Sequence, residues 1–191
     1  MIYTPKIQRA IRFAIRVHEQ YQKQKRKGKD VPYVVHPLIA GMILSRIGAS
    51  EELVIAGILH DAIEDTVKDK RKTRDLIIEK FGCQVVDLVD SVTEPVKDLP
   101  WDERKAEALE HIKTFSHDSL LLKSADVISN QSDTLSDYEK EGEVVFSKFN
   151  APKEKVIKHG IDVISTILDL WDGNPLKEDL LAIKKGLEEI E

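Results

Sequence analysis

Apolar residues recur every three or four positions along most of the chain, and this spacing constrains its fold more than any other feature. In the first segment the repeat consists of Ile7, Ala10, Ile11, Ala14, Ile15 and Val17. Such a repeat places an apolar stripe on one face of an amphipathic helix. No segment shows a convincing two-residue alternation typical of a half-buried strand. The sequence therefore predicts an all-α fold of about eight to ten helices.

Prolines and capping residues set the predicted helix starts. These starts fall at about Pro5, after Pro37, at Ser50, at Asp118, at Pro152 and at Pro175. No low-complexity linker divides the chain, so one domain is expected over residues 1–191, with a core at about 5–150 and C-terminal helices at about 152–190. The last helices carry an apolar stripe that is expected to cover the core, although a homo-oligomer stays open.

Composition excludes several classes of protein. The chain has 191 residues and a net charge of −5, which argues against a broad nucleic-acid-binding surface. No apolar run is long enough to cross a bilayer, and the N-terminus is too interrupted by charge for a signal peptide. The one cysteine, Cys83, excludes an intramolecular disulfide framework. We therefore expect a cytoplasmic protein with no nucleic-acid partner and no membrane partner.

The segment GILHDAIEDT concentrates ionisable groups among apolar residues. It contains two pairs of potential ligands or acid–base groups, His60 with Asp61 and Glu64 with Asp65. Imidazole and carboxylate groups are good ligands for divalent ions such as Mn, Fe or Zn. If the helix that begins near Ser50 continues through the segment, the second pair lies one turn beyond the first.

Two further residues stand out as candidate ligands. His36 precedes a proline in PYVVHP, and Asp126 is the one acid in an apolar stretch of LLLKSADVISN. A lone ionised carboxylate there is costly unless a cation or hydrogen bonds compensate for burial. His36, His60, Asp61 and Asp126 together would make a site of two histidines and two aspartates. Taken singly, each has a plainer explanation as a structural histidine or a hydrogen-bonded core acid.

Four stretches together resemble the hydrolase domain of the RelA/SpoT family. They are PYVVHP, ILHDAIEDT, FGCQVVDLVDSVTE and LLKSADVISN, in the same order and at similar separations. The chain is most similar to the stand-alone hydrolases of that family, the small alarmone hydrolases, over roughly residues 5–150. The resemblance implies an HD-domain helical bundle that binds Mn²⁺ and removes pyrophosphate from the 3′ position of ppGpp. It implies no synthetase activity.

The resemblance also implies roles for individual residues. His36, His60, Asp61 and Asp126 would bind the metal, and Glu64 and Asp65 would transfer protons and orient the attacking water. Lys25, Arg26 and Lys27 fall where the family packs an Arg-Lys pair against guanine and phosphate, with a solvated loop as the alternative. Asn130 and Asp133 match polar positions near the nucleotide.

One departure from the family bears on the substrate. Val127, Ser129 and Ser132 replace a basic residue, an aromatic or histidine residue and an arginine. Two alternatives therefore stay open. Beside the hydrolysis of ppGpp that the resemblance implies, the alternatives are an HD-domain phosphohydrolase that acts on a different nucleotide or phosphoester and a non-catalytic sensor that binds metal and nucleotide.

Overall fold

Helices account for nearly all of the ordered secondary structure. The structure is a computed structural model, and it describes residues 3–66, 69–94 and 99–190. Within these ranges it contains nine α-helices and no extended strand, which confirms the all-α prediction. The helices are α1 Pro5–Ile15, α2 Val35–Arg46, α3 Glu51–Leu59, α4 Lys70–Phe81, α5 Cys83–Val92, α6 Trp101–Ile112, α7 His117–Glu141, α8 Lys153–Leu170 and α9 Lys177–Ile190.

Two shorter helical segments complete the chain. Arg16–Tyr21 is a π-helical extension of α1, and Gly142–Lys148 is a 3₁₀ segment after α7. Contacts divide the chain into two compact units, Met1–Thr93 and Glu94–Glu191. The single domain expected over residues 1–191 stays a prediction.

Helix α3 is the centre of the first unit. Every residue from Leu53 to Leu59 is buried, and the helix packs against α1, α2 and α5. Ser50 caps it by accepting a hydrogen bond from the Leu53 N–H at 3.2 Å, as predicted. Thr4 caps α1 and also donates a hydrogen bond to Glu51. One side chain thereby ties together the starts of two helices.

Helices α2 and α3 approach each other closely through two glycines. A Cβ atom on Gly57 would lie 2.6 Å from Leu44 Cδ1 and 3.2 Å from Gly41 Cα. A Cβ on Gly41 would overlap Ile58 Cγ1 and lie 3.3 Å from the Val54 carbonyl oxygen. Hydrogen in place of a side chain is therefore what lets the two backbones meet at this crossing.

Two predicted helix boundaries in the first unit are wrong. Helix α2 begins at Val35, before Pro37, because a proline in the first turn has no intrahelical acceptor to lose. Helix α3 ends at Leu59 and does not continue through the whole segment GILHDAIEDT. The reason lies in the His60 ring, whose Nδ1 is 2.9 Å from the Gly57 carbonyl oxygen. That oxygen is the one a continuing helix would offer to the Asp61 N–H.

The second unit departs from the sequence prediction mainly in α7 and α9. Ser116, not Asp118, caps α7 by accepting a hydrogen bond from the Ser119 N–H at 3.1 Å. The helix then runs to Glu141. Helix α9 begins at Lys177 rather than at Pro175.

The second unit is built on contacts of α7 with α8, α9 and the 3₁₀ segment, and of α8 with α9. Ile164 and Ile167 of the α8 apolar stripe are fully buried, as expected for a core position. Asn174 in the α8–α9 connection is buried and donates a hydrogen bond to Ser124 Oγ at 2.9 Å. In the part of the chain that the structure describes, no helix has the length and apolar character needed to span a membrane.

Candidate metal centre

Two buried histidines face each other in the first unit. His36 lies in the first turn of α2, and His60 lies at the end of α3. Their Nε2 atoms are 3.1 Å apart, and the rings meet edge to face at 80°. His36 and His60 are 2% and 5% exposed, so their rings have almost no contact with bulk solvent. The α2–α3 glycine crossing described above is what brings their helices this close.

The hydrogen bond of His60 fixes its tautomer. A carbonyl oxygen only accepts, so His60 Nδ1 is the donor to Gly57 and Nε2 carries a lone pair in the neutral ring. A metal-ligating histidine commonly donates its other ring N–H in this way, which orients the ring and raises its basicity. The same bond therefore ends α3 and presents His60 Nε2 as a ligand atom.

Asp61 adds a carboxylate beside the two rings. Its Oδ2 lies 3.2 Å from His60 Nε2 and 3.6 Å from His36 Nε2. The same oxygen accepts a hydrogen bond from the Tyr33 hydroxyl at 2.6 Å. Tyr33 therefore orients the carboxylate that completes this group of three side chains.

The donor set in the first unit fits a divalent ion. Two imidazole nitrogens that share an ion at about 2.1 Å lie about 3.0 Å apart when they subtend a right angle at it. The His36–His60 separation of 3.1 Å meets that condition. Nitrogen and carboxylate ligands together suit Mn, Fe, Zn and similar ions. A positive charge here would also offset the cost of burying Asp61 between two rings.

Asp65 lies just beyond the candidate ligands. Its backbone N–H donates to the Asp61 carbonyl oxygen at 2.9 Å, so one helical turn persists although α3 has ended. Burial raises the pKa of the Asp65 carboxyl, and the charges of Asp61 and Glu64 raise it further. A hydrogen bond from Gln24 and the nearby His18 ring act in the opposite direction on this pKa. The net pKa is higher than that of an ordinary aspartate.

Glu64 is half-buried in the turn between the ligands and Asp65. Thr66 holds the end of that turn, because its hydroxyl donates to the Ala62 carbonyl oxygen at 2.6 Å. Thr73 of α4 in turn donates to Thr66 Oγ1 at 3.2 Å. The two predicted catalytic acids are therefore held on a braced turn.

The basic loop divides into three different environments. Lys25 is exposed and forms an ion pair with Asp30 at 2.8 Å, which raises the pKa of its ammonium. The Arg26 guanidinium lies 5.6 Å from the centre of the Tyr33 ring. Lys27 is exposed. Arg26 therefore lies against the Tyr33–Asp61 pair through the tyrosine ring.

The remaining predicted site residues lie on α7 in the second unit. Asp126 Oδ2 accepts from Lys123 Nζ and Oδ1 accepts from Asn130 Nδ2, both at 2.7 Å. Asp126, Asn130 and Asp133 follow a spacing of four and three residues, so they share one face of the helix. The carboxylate of Asp126 is thus oriented by two side chains from its own helix.

The residues that depart from the family pattern occupy two kinds of position. Val127 and Ser129 are 6% and 5% exposed, whereas Ser132 is exposed. A basic or aromatic side chain would not fit the first two positions without repacking α7.

Sequence reasoning missed three residues of the first unit. Tyr33 bonds to Asp61, Gln24 bonds to Asp65 Oδ2 at 2.9 Å, and His18 Nδ1 lies 2.8 Å from Gln24 Oε1. The tyrosine lies inside PYVVHP, so its place in that motif was the one available signal. No sequence motif marks His18 or Gln24, since only the fold brings them to the segment GILHDAIEDT.

The chain belongs to the HD-domain family. The sequence pattern of the family described as HD domain matches residues 10–157, which is most of the chain. This confirms the family predicted from the four motifs. Several relatives to which the chain is similar are named guanosine-3′,5′-bis(diphosphate) 3′-pyrophosphohydrolase.

One relative is the human guanosine-3′,5′-bis(diphosphate) 3′-pyrophosphohydrolase MESH1, 36% identical over 123 residues, which cover 63% of this chain and 65% of that protein. Another is the guanosine-3′,5′-bis(diphosphate) 3′-pyrophosphohydrolase of Aquifex aeolicus, 41% identical over 91 residues, which cover 48% of this chain and 12% of that protein. The matched region thus spans less than two thirds of the length of either relative.

Two solved structures share the fold. The crystal structure of lmo0812 from Listeria monocytogenes superimposes with a TM-score of 0.70 and 31% identity, over 81% of this chain and 99% of that one. A metazoan ortholog of SpoT, described as hydrolysing ppGpp, superimposes with a TM-score of 0.75 and 23% identity, over 100% of this chain and 96% of that one. The second likeness is evidence for the fold alone.

Proposed function

We propose that this protein is a metal-dependent hydrolase that releases pyrophosphate from the 3′ position of guanosine-3′,5′-bis(diphosphate). The observation that carries the proposal is the group formed by His36, His60 and Asp61, with His60 held in the tautomer of a metal ligand. The names of the human and Aquifex relatives support the choice of substrate.

The proposed metal ligands are His36, His60, Asp61 and Asp126, and the proposed metal is Mn²⁺. Family membership and the donor chemistry of the two histidines and Asp61 support a divalent ion at this position. Asp126 enters on the resemblance of its motif and on the two hydrogen bonds that orient its carboxylate. When bound, the ion would polarise a phosphate oxygen and favour ionisation of the attacking water.

The proposed reaction is a hydrolysis that balances without any further reactant. The oxygen of a water forms a bond to the phosphorus that is attached to the 3′ oxygen, and the bond between that phosphorus and the 3′ oxygen breaks. The 3′ oxygen gains a proton, and pyrophosphate leaves. Asp65 is proposed to take the proton of the water, since its raised pKa brings it nearer to neutral pH. Glu64, on the same turn, is proposed to orient that water.

The nucleotide is proposed to contact two sets of side chains. Arg26, with Lys25 and Lys27 beside it, would meet the guanine and phosphate groups, because a guanidinium both stacks and binds phosphate. The contact of Arg26 with the Tyr33 ring supports this role for it over the two exposed lysines. Asn130 and Asp133 would contribute polar contacts from α7.

A second candidate function is hydrolysis of a different nucleotide or phosphoester by the same metal centre. The observation that favours it is the loss of family-typical side chains at Val127, Ser129 and Ser132. Since Val127 and Ser129 are buried, contacts to the nucleotide from these positions would be replaced by packing. The chemistry of the first-unit histidines would be unchanged.

A screen of purified protein with added Mn²⁺ tests both candidates. The substrates are ppGpp, pppGpp, common nucleotides and NADPH, and the products are identified by mass. We expect release of pyrophosphate from ppGpp, abolished by a chelator and by Asp126→Asn. Turnover confined to another substrate would select the second candidate. Bound metal and nucleotide with no turnover of any compound would favour a sensor and overturn both.

The catalytic assignment has its own test. Glu64→Gln and Asp65→Asn are expected to keep Mn²⁺ binding and to lower turnover about 100-fold or more, the usual contribution of proton transfer and water orientation. Full activity with bound metal in both variants would sink the assignment. We also propose a cytoplasmic protein, supported by the single cysteine, Cys83, which is free and exposed.

A further inference from the structure

A buried histidine and a glutamine form a hydrogen-bonded chain that ends on Asp65. His18 Nδ1 lies 2.8 Å from Gln24 Oε1, and Gln24 Nε2 lies 2.9 Å from Asp65 Oδ2. His18 is fully buried, and its Nδ1 is also 4.0 Å from Asp65 Oδ2. None of the three residues belongs to the proposed metal ligands or to the proposed nucleotide contacts.

The order of donors and acceptors in this chain is fixed from one end. A carboxylate oxygen only accepts, so Gln24 donates through Nε2 and turns its amide oxygen toward His18. His18 Nδ1 therefore carries a proton and donates to that oxygen. Without the imidazole donor, the Gln24 amide oxygen would lose its hydrogen bond, and Asp65 alone would hold the amide.

Local backbone structure places His18 in this position. His18 lies in the π-helical segment Arg16–Tyr21, and its carbonyl oxygen accepts the Gln24 N–H at 2.9 Å. Lys23, between them, has a φ of +50°, in the left-handed region. The chain thus turns back so that Gln24 contacts the His18 backbone and side chain together. Single π-helical turns of this kind occur frequently at functional sites.

The hydrogen-bonded network of His18 and Gln24 occupies one oxygen of the Asp65 carboxylate. Gln24 binds Oδ2, and no donor among the residues that the structure describes binds Oδ1. The carboxylate is therefore held by one side, with its second oxygen available to a water molecule. A carboxyl group must lie within hydrogen-bond reach of the proton it accepts, so its orientation decides whether it can act.

We propose that His18 and Gln24 are positioning residues that hold the Asp65 carboxylate in the orientation needed to accept a proton from the attacking water. The proposal rests on the hydrolytic function proposed above. It assigns His18 no contact with the substrate or the metal. It predicts that loss of the His18 donor lowers the rate of the chemical step and leaves binding nearly unchanged.

Variants of His18 test the proposal with a matched pair. An asparagine amide nitrogen can occupy the place of an imidazole Nδ1, so His18→Asn keeps the donor, whereas His18→Leu removes it. With Mn²⁺ and ppGpp, we expect His18→Leu to lower kcat about tenfold or more with KM and Mn²⁺ affinity within about twofold. His18→Asn is expected to keep at least about half of kcat.

Gln24 provides a second route if His18→Leu fails to fold, since Gln24 is only half-buried. Gln24→Ala is expected to lower kcat as much as His18→Leu, and the double variant is expected to be no worse than either one, because they break the same chain. Gln20→Ala, at an exposed position in the same segment, is the control and is expected to keep full activity. Wild-type kcat in His18→Leu, or equal impairment in His18→Asn and His18→Leu, would overturn the proposal.

A measurement without turnover separates this inference from the proposed function. Nitrogen-edited NMR of the Gln24 side-chain amide, assigned by its absence in Gln24→Ala, should show one proton protected from exchange with solvent. His18→Leu should shift that signal and speed its exchange, and His18→Asn should restore it. This result in a protein with no hydrolytic activity would overturn the function but support the chain. An unchanged amide signal in His18→Leu would overturn the chain, whatever the activity.

Discussion

The Tyr33 hydroxyl donates a hydrogen bond of 2.6 Å to Asp61 Oδ2, the same oxygen that lies 3.2 Å from His60 Nε2. A short hydrogen bond to a carboxylate is among the stronger kinds in proteins. Tyr33 also lies 5.9 Å from His36 and 5.2 Å from His18 between ring centres. One tyrosine therefore contacts a candidate ligand through its hydroxyl and two histidines through its ring.

Tyr33→Phe keeps the ring contacts and removes the hydrogen bond to Asp61. We expect Mn²⁺ affinity to fall about 10-fold to 100-fold, the usual effect of losing a partner that orients a ligand. Calorimetric titration of the metal-free protein with Mn²⁺ measures this change. Tyr21→Phe, at an exposed tyrosine, is the control and should bind Mn²⁺ as the wild type does. Equal affinities for Tyr33→Phe and the wild type would show that the hydroxyl does not support the ligand.

Gly41→Ala tests the close approach of α2 and α3. Alanine favours a helix over glycine by about 1 kcal/mol, whereas overpacking a core costs about 1–3 kcal/mol. The new Cβ would overlap Ile58, which is 3% exposed and has no room to retreat, so the packing cost should win. We expect a lower free energy of unfolding and weaker Mn²⁺ binding, measured by denaturant titration and calorimetry.

The control for Gly41→Ala is Gly186→Ala in α9, where the new Cβ would meet Leu135 Cδ1 at 2.9 Å. That atom is the far end of a flexible side chain, and Leu135 is only half-buried. The control should therefore change stability less and leave Mn²⁺ affinity unaltered. If both variants weakened Mn²⁺ binding equally, the helix crossing would have no special effect on the histidines.

Asp65→Asn should make the metal-free protein more stable at neutral pH. The folded-state pKa of Asp65 is raised, so the folded protein binds the proton more tightly than the unfolded chain does. Its charge therefore destabilises the fold at neutral pH, and this cost disappears as the pH falls through the folded pKa. We expect a higher Tm for Asp65→Asn at pH 7, with a smaller difference at acid pH. A lower Tm at pH 7 would contradict this account.

His159 should make the second unit sensitive to acid. Burial, together with the charges of Lys105 and Lys123, lowers the pKa of its imidazole to about 4. The unfolded chain therefore takes up this proton at a higher pH than the folded protein. The stability from His159 is fully present above about pH 6.5 and is lost as the pH falls toward 4, by about 3 kcal/mol.

His159→Gln removes the titrating group and keeps a polar side chain beside Trp101. Denaturant unfolding at pH 7 and at pH 4.5 should show a smaller loss of stability in the variant than in the wild type. His111→Gln, at a half-buried histidine of α6, is the control for general effects of removing an imidazole. Equal acid sensitivity in His159→Gln and the wild type would show that other groups dominate.

The approximate number of helices could be predicted from apolar spacing, because each apolar stripe indicates one helix face that will be buried. The cap at Ser50 could equally be predicted, since capping depends on residues within one turn. The end of α3 was not legible. It depends on competition between the His60 ring and a backbone N–H for the Gly57 carbonyl oxygen, and helix propensities do not include this competition.

The candidate site shows the same division. His36, His60 and Asp61 were predicted from motifs, and the structure brings these three together in the first unit. The sequence assigned no role to Gln24 or to His18. Their contacts with Asp65 depend on a π-helical turn and a left-handed residue, which arise from the packing of the whole unit rather than from local preference.

The π-helical segment makes chain length itself a determinant of the site. Adding or deleting one residue in Arg16–Tyr21 would rotate His18 by about 100° about the helix axis and carry its ring away from Gln24. Substitutions at the exposed Tyr21 do not change the direction in which His18 points from the helix axis. Natural variation here is therefore expected as changes of residue type without insertions or deletions, in contrast to an ordinary surface loop.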